Sequence, residues 1–261
     1  MKLRTTAIVN LKGGVAKTTT VINMAAILAK EHGKRVLIVD ADSQCNTTEF
    51  FGVDPSNMNL ATVLRGAHLF VEPDVYAQSC IQGTDYVNVA ILPGDETLMD
   101  LDLSKVEQGT VNSNVLRYLV ESVKDRFDHI LIDCPPAFNA ASAAALIAAD
   151  DVIIPIKLDA FSLRGMGNLM RQIKNMRRIN PRLVLAGVLP TMWYKDEKIT
   201  EAETQLKQAG LRVFHHIRRS DKVDRMTFQQ EPLLISSPNS AAGVDYRKFV
   251  KEYVGGSGNE L

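Results

Sequence analysis

The residues with the most chemical potential are Lys12-Gly13-Gly14-Val15-Ala16-Lys17-Thr18-Thr19, between an apolar strand predicted over residues 5–10 and a helix-forming run that begins near Lys17. Two glycines let the backbone turn its N–H groups toward anionic oxygens. The start of the helix adds unsatisfied donors and the positive end of its dipole. Lys17 supplies a point charge, Thr18 a hydroxyl placed to ligate a Mg²⁺ that bridges two terminal phosphates, and Thr19 a donor for an adjacent phosphate. A loop of this composition suits a nucleoside triphosphate tail. The common phosphate-loop spacing wants glycine where Leu11 and Ala16 stand, so that pattern fails; a second lysine, Lys12, is present instead.

Phosphoryl chemistry also needs acids facing the loop. In a sheet wound in both directions, ligands sit beyond the carboxyl ends of the strands, so acids that end strands can meet the metal. Two apolar runs end that way: Val36-Leu37-Ile38-Val39 enters Asp40-Ala41-Asp42, and Ile130-Leu131-Ile132 enters Asp133-Cys134-Pro135-Pro136. Asp133 suits a Mg²⁺-bound water, and Asp40 or Asp42 the orientation of a water attacking the γ-phosphate. A strand-end acid such as Asp40 also serves to cap the next turn. Pro135-Pro136 stiffens a segment that would move when the γ-phosphate leaves.

The elements that must position these residues follow from the apolar pattern. A helix runs to Lys30 and ends near Gly33, a left-handed cap, before a buried strand over residues 35–40. Further strands are predicted over 87–92, 129–133, 152–156 and 183–189, with a short one near 213–217, and helical stretches separate most of them. Strands that are apolar along their whole length imply an α/β fold, a doubly wound and mainly parallel sheet with helices on both faces. Residues 43–86 read as loop-rich, with a short helix near 60–66. No internal linker is evident, so the expectation is one domain over 1–254 and a flexible tail, 255–261.

Composition narrows the class further. The chain has 261 residues, enough for a full core, and its thirty Lys and Arg balance thirty Asp and Glu, so any nucleic-acid contact must rest on a local patch. Cys45, Cys80 and Cys134 are odd in number and lack metal or disulfide spacing, which fits a reduced cytosol. No stretch reaches the ~18 apolar residues of a membrane span, and the expected location is cytoplasmic.

Lys-Gly-Gly-Val-x-Lys-Thr-Thr with its signature lysine, then Asp-x-Asp-x-Gln-x-Asn, then Ile-Asp-Cys-Pro-Pro, resembles the deviant Walker A ATPases of the ParA/MinD superfamily, and most of all its ParA and Soj branch. The segments Leu92-Pro93-Gly94, Gly187-Val188-Leu189-Pro190-Thr191-Met192 and Ile217-Arg218-Arg219 echo the same branch. The resemblance implies a P-loop ATPase that takes ATP and Mg²⁺ and forms a homodimer around two nucleotides. Residues 12–19 (Lys12, Gly13, Gly14, Val15, Ala16, Lys17, Thr18, Thr19) would hold the nucleotide, with Lys12 reaching the partner's phosphates and Lys17 its own. Lys12, Lys17 and Asp42 would be catalytic, Asp42 as the switch acid that positions water. Thr18, Asp40 and Asp133 would form the metal set, with Asp133 as the Walker B acid. Three departures stand out: Ala16 and Cys45 replace glycines of the family and Ser43 a proline. If residue 16 needs positive φ, alanine there costs on the order of 1 kcal/mol and invites slow turnover.

The resemblance further implies nonspecific DNA binding in the ATP state and hydrolysis stimulated by a ParB-like centromere-binding protein, the task being DNA segregation. Arg218, Arg219, Lys222 and Arg247 are the expected DNA contacts, although Arg218 stands where the family has proline and a solvated helix face is the plain alternative. Arg171, Lys174, Arg177 and Arg178 make another basic cluster open to the same alternative. Two rival readings remain, a MinD-like positioning ATPase and a metabolic ATP-dependent kinase or ligase. His215 and His216 are expected on opposite faces of a strand, which argues against a shared metal. Trp193 and Tyr194 stand either near the adenine or over a loop.

Overall fold

The computed structural model describes residues 3–56, 58–66 and 73–256. Its elements run β1 (Arg4–Ile8), α1 (Lys17–Lys30), β2 (Val36–Asp40), α2 (Asn46–Phe50), α3 (Leu60–Leu64), α4 (Pro73–Ser79), β3 (Gln82–Gly83), β4 (Val89–Leu92), α5 (Leu103–Glu107), α6 (Val115–Ser122) and β5 (His129–Asp133). They continue with α7 (Ala140–Ala148), β6 (Asp151–Lys157), α8 (Ala160–Met176), β7 (Val184–Thr191), α9 (Glu197–Gln208), α10 (Asp221–Gln229), α11 (Leu233–Ser236) and α12 (Ala241–Gly255). A 3₁₀ turn over Glu96–Asp100 follows β4.

The strands form a sheet in the order β3-β4-β2-β5-β1-β6-β7, parallel throughout except for β3 against β4. Strand residues alternate between two cores because successive side chains leave a strand on opposite faces. Leu37 and Val39 of β2 join Ala7, Ile130 and Ile132 under α3, α6, α7, α8 and α9. Val36 and Ile38 join Ile8 and Leu131 under α1, α10, α11 and α12. Burial on both faces is why these strands read as unbroken apolar runs.

The topology fixes where a ligand can sit. β1 lies between β5 and β6, and the chain leaving β1 passes through α1 to β2 on one side, whereas β6 and β7 extend the other. The carboxyl end of β1 is therefore a switch point, and the register carries Asp40 of β2 opposite Asp133 of β5, with Ile8 of β1 next to Asp133.

Two local expectations change. The short strand expected near 213–217 is not formed; the stretch makes only single bridges at its ends, Val188 to Val213 and Trp193 to Arg218. Consequently His215 and His216 are not held on opposite faces: their rings lie 5.1 Å apart and 20° from parallel. His216 stacks on Trp193 at 3.8 Å and pairs with Glu203 at 3.3 Å, whereas His215 faces Asp245 at 3.1 Å. Helix α12 runs to Gly255, and the remainder of the expected tail, 257–261, lies outside the described residues, as do residue 57 and residues 67–72 of the loop-rich segment.

Candidate nucleotide-binding site

Helix α1 begins differently from the other long helices. Side chains of Asn139, Asp159, Asp196, Ser220 and Ser240 cap α7, α8, α9, α10 and α12. At α1 the cap residue is Ala16, which has no side-chain acceptor and sits in the left-handed region at φ 67°, ψ 34°. The first-turn amides of α1 are thus left for a ligand, and the dipole favours an anion there. Gly14 shares the left-handed conformation at φ 67°. The Thr191 hydroxyl at the end of β7 donates to the Val15 carbonyl at 3.1 Å and anchors the loop.

The two lysines point in different directions. Lys17 is buried, and its ammonium donates to the Lys12 carbonyl at 3.3 Å, at the base of the loop. Burial lowers its pKa, against the charges of Asp133 and Asp42, which raise it. The Lys12 ammonium instead leaves the loop for the β6–α8 junction, donating to both carboxylate oxygens of Asp159 at 2.9 Å and to the Ser162 hydroxyl at 3.0 Å. Burial would raise the Asp159 pKa, but the Lys12 and Ser162 bonds hold it at about 2. Asp159 also caps α8 through the Ser162 amide at 2.8 Å.

Asp133 is buried completely, and one of its oxygens, Oδ2, accepts from Thr18 Oγ1 at 2.6 Å and Thr47 Oγ1 at 2.7 Å. The other, Oδ1, is buried with no hydrogen-bond partner. An orphaned carboxylate oxygen beside a loop hydroxyl is the donor set a hard divalent cation takes, so the residues fit Mg²⁺, with Thr18 and Asp133 as the groups that would hold it. Burial also pushes the Asp133 pKa above the ordinary carboxylate range, with the charge of Asp42 adding to it.

Asp40 is placed otherwise. Its Oδ2 accepts from the Thr48 amide at 2.8 Å and hydroxyl at 2.7 Å, and its Oδ1 from the Asp42 amide at 3.2 Å. These bonds fasten the segment leading into α2, and the Thr48 hydroxyl accepts in turn from the Gly94 amide at 2.9 Å. A Cβ on Gly94 would stand 2.8 Å from the Asp40 carbonyl oxygen, so only glycine fits there. Asp40 therefore acts as a strut for the loop that carries Asp42. Asp42, 7% exposed, accepts from the Gln44 amide at 3.0 Å and lines the cleft above the loop.

That cleft has a volume of about 830 Å³. Gly13, Gly14, Ala16, Lys17, Thr18 and Thr19 form its floor, and Asp42 and Pro136 one wall. Met192, Tyr194, Ile217, Arg218 and Arg219 also line the cleft. Tyr194 thus borders the cleft, whereas Trp193 is packed beneath His216. Arg218 is clamped to buried Asp245, Nε to Oδ2 at 2.7 Å and Nη2 to Oδ1 at 2.9 Å. Arg247, on α12, pairs with Glu31 at 2.7 Å. Of the residues expected to touch DNA, two are committed within the chain, and Arg219 faces the cleft.

The structure brings Gly13, Gly14, Ala16, Lys17, Thr18, Thr19 and Asp42 onto one cleft, sets Asp133 against Thr18, and turns the Lys12 ammonium to Asp159. Sequence reasoning missed Asp159, Thr47, Thr48 and Thr191. Asp159 was open to the rule that found Asp133, since it closes the apolar run of β6 just before a helix.

Fold and loop together define a P-loop nucleotide-binding protein of the kind with a second lysine in the loop. The profile of the AAA domain family matches residues 3–185. The chain is 33% identical over 260 residues to the chromosome partitioning protein ParA of Caulobacter vibrioides, covering 97% of this chain and 94% of that protein. It is 31% identical over 261 residues to the sporulation initiation inhibitor protein Soj of Bacillus subtilis, covering 94% and 96%. Among solved structures, cobyrinic acid a,c-diamide synthase from Mycobacterium smegmatis with bound ADP and magnesium superposes with a TM-score of 0.80 at 29% identity, covering 99% and 98%. The chain belongs to the ParA family of P-loop ATPases.

Proposed function

We propose that the chain is a DNA-segregation ATPase that binds ATP with Mg²⁺, dimerises around two nucleotides, engages nonspecific DNA in that state and is reset by hydrolysis. A ParB-like protein would stimulate the reset, and the protein would work in the cytoplasm on the nucleoid. Among the described residues no helix is long and apolar enough to cross a membrane. The observation that carries the reading is the divergence of the two lysines: Lys17 serves the loop of its own chain, and Lys12 is held outside it. The Lys12 side chain is 38% exposed and that of Asp159 27%, so their pair is open to exchange for a phosphate on a second copy.

In this scheme Mg²⁺, when bound, neutralises phosphate charge and orients the terminal phosphates. The chain's own residues do the remainder. The α1 amides and Lys17 bind the phosphate oxygens, Asp42 orients the attacking water, and Thr48 with Asp40 holds the Asp42 segment in place. Because the γ-phosphate would be shared by two subunits, its loss would remove contacts from both.

Light scattering with a nonhydrolysable ATP analogue and Mg²⁺ tests the reading. The wild type should form dimers; Lys12→Ala should bind nucleotide yet stay monomeric; Lys17→Ala should not bind; and Asp42→Ala should prolong the ATP-bound dimer. A wild type that stays monomeric while saturated with the analogue refutes it. The likeness to the diamide synthase favours one rival, a metabolic ligase, which requires turnover that depends on a small acid and not on DNA.

A further inference from the structure

We infer that the outer face of α8 is a docking surface for the phosphate backbone of duplex DNA. The inference rests on the DNA-binding step of the proposed function and moves its site away from the Arg218 and Arg247 region, where both guanidiniums already hold carboxylates.

The charge pattern is the starting point. The chain as a whole is neutral, yet between Asp159 and Asp196 it carries seven Lys and Arg and no Asp or Glu. At about 100° per residue, Arg164, Arg171 and Lys174 fall within an arc of about 80° on α8. Met166, Leu169, Ile173 and Met176 lie on the opposite side and are buried. Arg178 follows just past the helix, and these four cations are all exposed. At 1.5 Å per residue, Arg164 and Arg178 are about 21 Å apart along the axis, the length of several phosphates at about 3.4 Å per strand step.

Ordinary surface helices offset their cations. On α9, Lys207 pairs with Glu203 one turn away at 2.8 Å. Among the described residues, no cation of α8 has a carboxylate within ion-pair distance, because the segment supplies none. The helix dipole accounts for cations in the last turn, such as Lys174, but gives nothing to Arg164 near the start. Arg164 is steadied by lying over the Phe161 ring at 4.9 Å and donating to the Ala160 carbonyl at 3.2 Å, which leaves its outer nitrogens for a ligand.

A polyanion complements this stripe, and DNA suits it better than a lipid surface. A membrane-binding helix inserts its apolar side, and the apolar side of α8 is spent on the core except for exposed Phe161 at its start, whose ring lies under Arg164. Between the cations the outer face carries Gly167, Asn168 and Asn175, small or polar groups that let a sugar-phosphate backbone approach.

The test is fluorescence anisotropy on a random-sequence duplex, with the ATP analogue and Mg²⁺, over a range of salt. The Arg171→Ala/Lys174→Ala/Arg178→Ala chain should bind more than about tenfold more weakly, and its log–log salt slope should fall by about 2.7, at about 0.9 per lost phosphate contact. Arg171→Lys/Arg178→Lys should keep the slope, which separates charge from folding, and basal ATP turnover should be unchanged in both. An unchanged slope in the triple variant, with binding abolished by Arg219→Ala/Lys222→Ala, overturns the inference and leaves the segregation reading intact. Failure of the wild type to bind any duplex while still dimerising overturns both. Loss of binding to phosphatidylglycerol vesicles with DNA binding retained would assign the stripe to lipid and overturn the inference.

Discussion

Replacing Ala16 by glycine should stabilise the protein, and replacing Gly14 by alanine should destabilise it, although each change moves one methyl group in the same loop. Both residues have φ 67°. A Cβ at Gly14 would meet nothing within 4 Å, so the cost there is conformational and not steric. The left-handed region costs an L-residue roughly 1–2 kcal/mol, and glycine's extra freedom in the unfolded chain takes back roughly 0.4–1 kcal/mol. The net expectation is a gain of about 1 kcal/mol for Ala16→Gly and a similar loss for Gly14→Ala. At about 2.1 cal/mol/K of unfolding entropy per residue, a chain of this length shifts its Tm by about 2 °C for 1 kcal/mol. Urea unfolding without nucleotide, at fixed m-value, resolves both changes. If Ala16→Gly lowers the urea midpoint, residue 16 is not left-handed in solution and the account of the uncapped α1 start fails.

Asp133→Asn should make the metal-free protein more stable near neutral pH. A buried acid with a raised pKa gives stability that is full below the unfolded value and is lost as pH rises through the folded one, so the advantage of the variant should vanish below about pH 4. Thermal melts across pH check this, and added Mg²⁺ with nucleotide should stabilise only the wild type. His129 has the opposite sign: burial, with the charge of Arg4 adding, lowers its pKa from 6.5 to about 4, so the neutral ring favours folding above pH 6.5 and stability falls as pH drops toward 4. The wild type should lose about 1.4 kcal/mol per pH unit in that window that His129→Phe does not, and equal losses in urea titrations refute it. Asp159→Asn keeps an acceptor for the Ser162 amide but releases Lys12. Stability should fall by no more than about 1 kcal/mol. Sedimentation with the ATP analogue should show dimers at protein concentrations about fivefold lower, about 1 kcal/mol in the free energy of association; a midpoint unchanged or moved upward counts against Lys12 as the residue that crosses to the partner.

The parallel strands could be read from the chain because each is buried on two sides, and a run such as Val36-Leu37-Ile38-Val39 has no other comfortable setting. The loop could be read because glycine, lysine and threonine carry their chemistry in their types. Short elements escaped: two-residue β3 pairs only at Gln82 and Gly83, and a strand expected near 213–217 dissolves into two bridges. No periodicity exists over so few residues. For Asp40 the sequence left two roles open, metal ligand and cap of the next turn, because a strand-end acid looks the same whether its oxygens face a metal or, as here, Thr48 and the Asp42 amide.

Charge is where local reading misleads most, and the reason is distance along the chain. Arg218 belongs to a visibly basic stretch, but its partner Asp245 is 27 residues away. The partner of Arg247, Glu31, is 216 residues away and arrives only when α12 docks beside α1. A count of neighbouring charges cannot see either pair, so it overstates what those arginines can offer to DNA. On α8 the same count is safer. Between Asp159 and Asp196 the segment has no acid, its buried side is apolar apart from Ser162, and an ion pair from outside would have to reach across the helix to the solvent face. A basic run thus predicts a free surface when the fold brings no acid to it, and among the described residues that condition is met by Arg171, Lys174 and Arg178 and fails for Arg218 and Arg247.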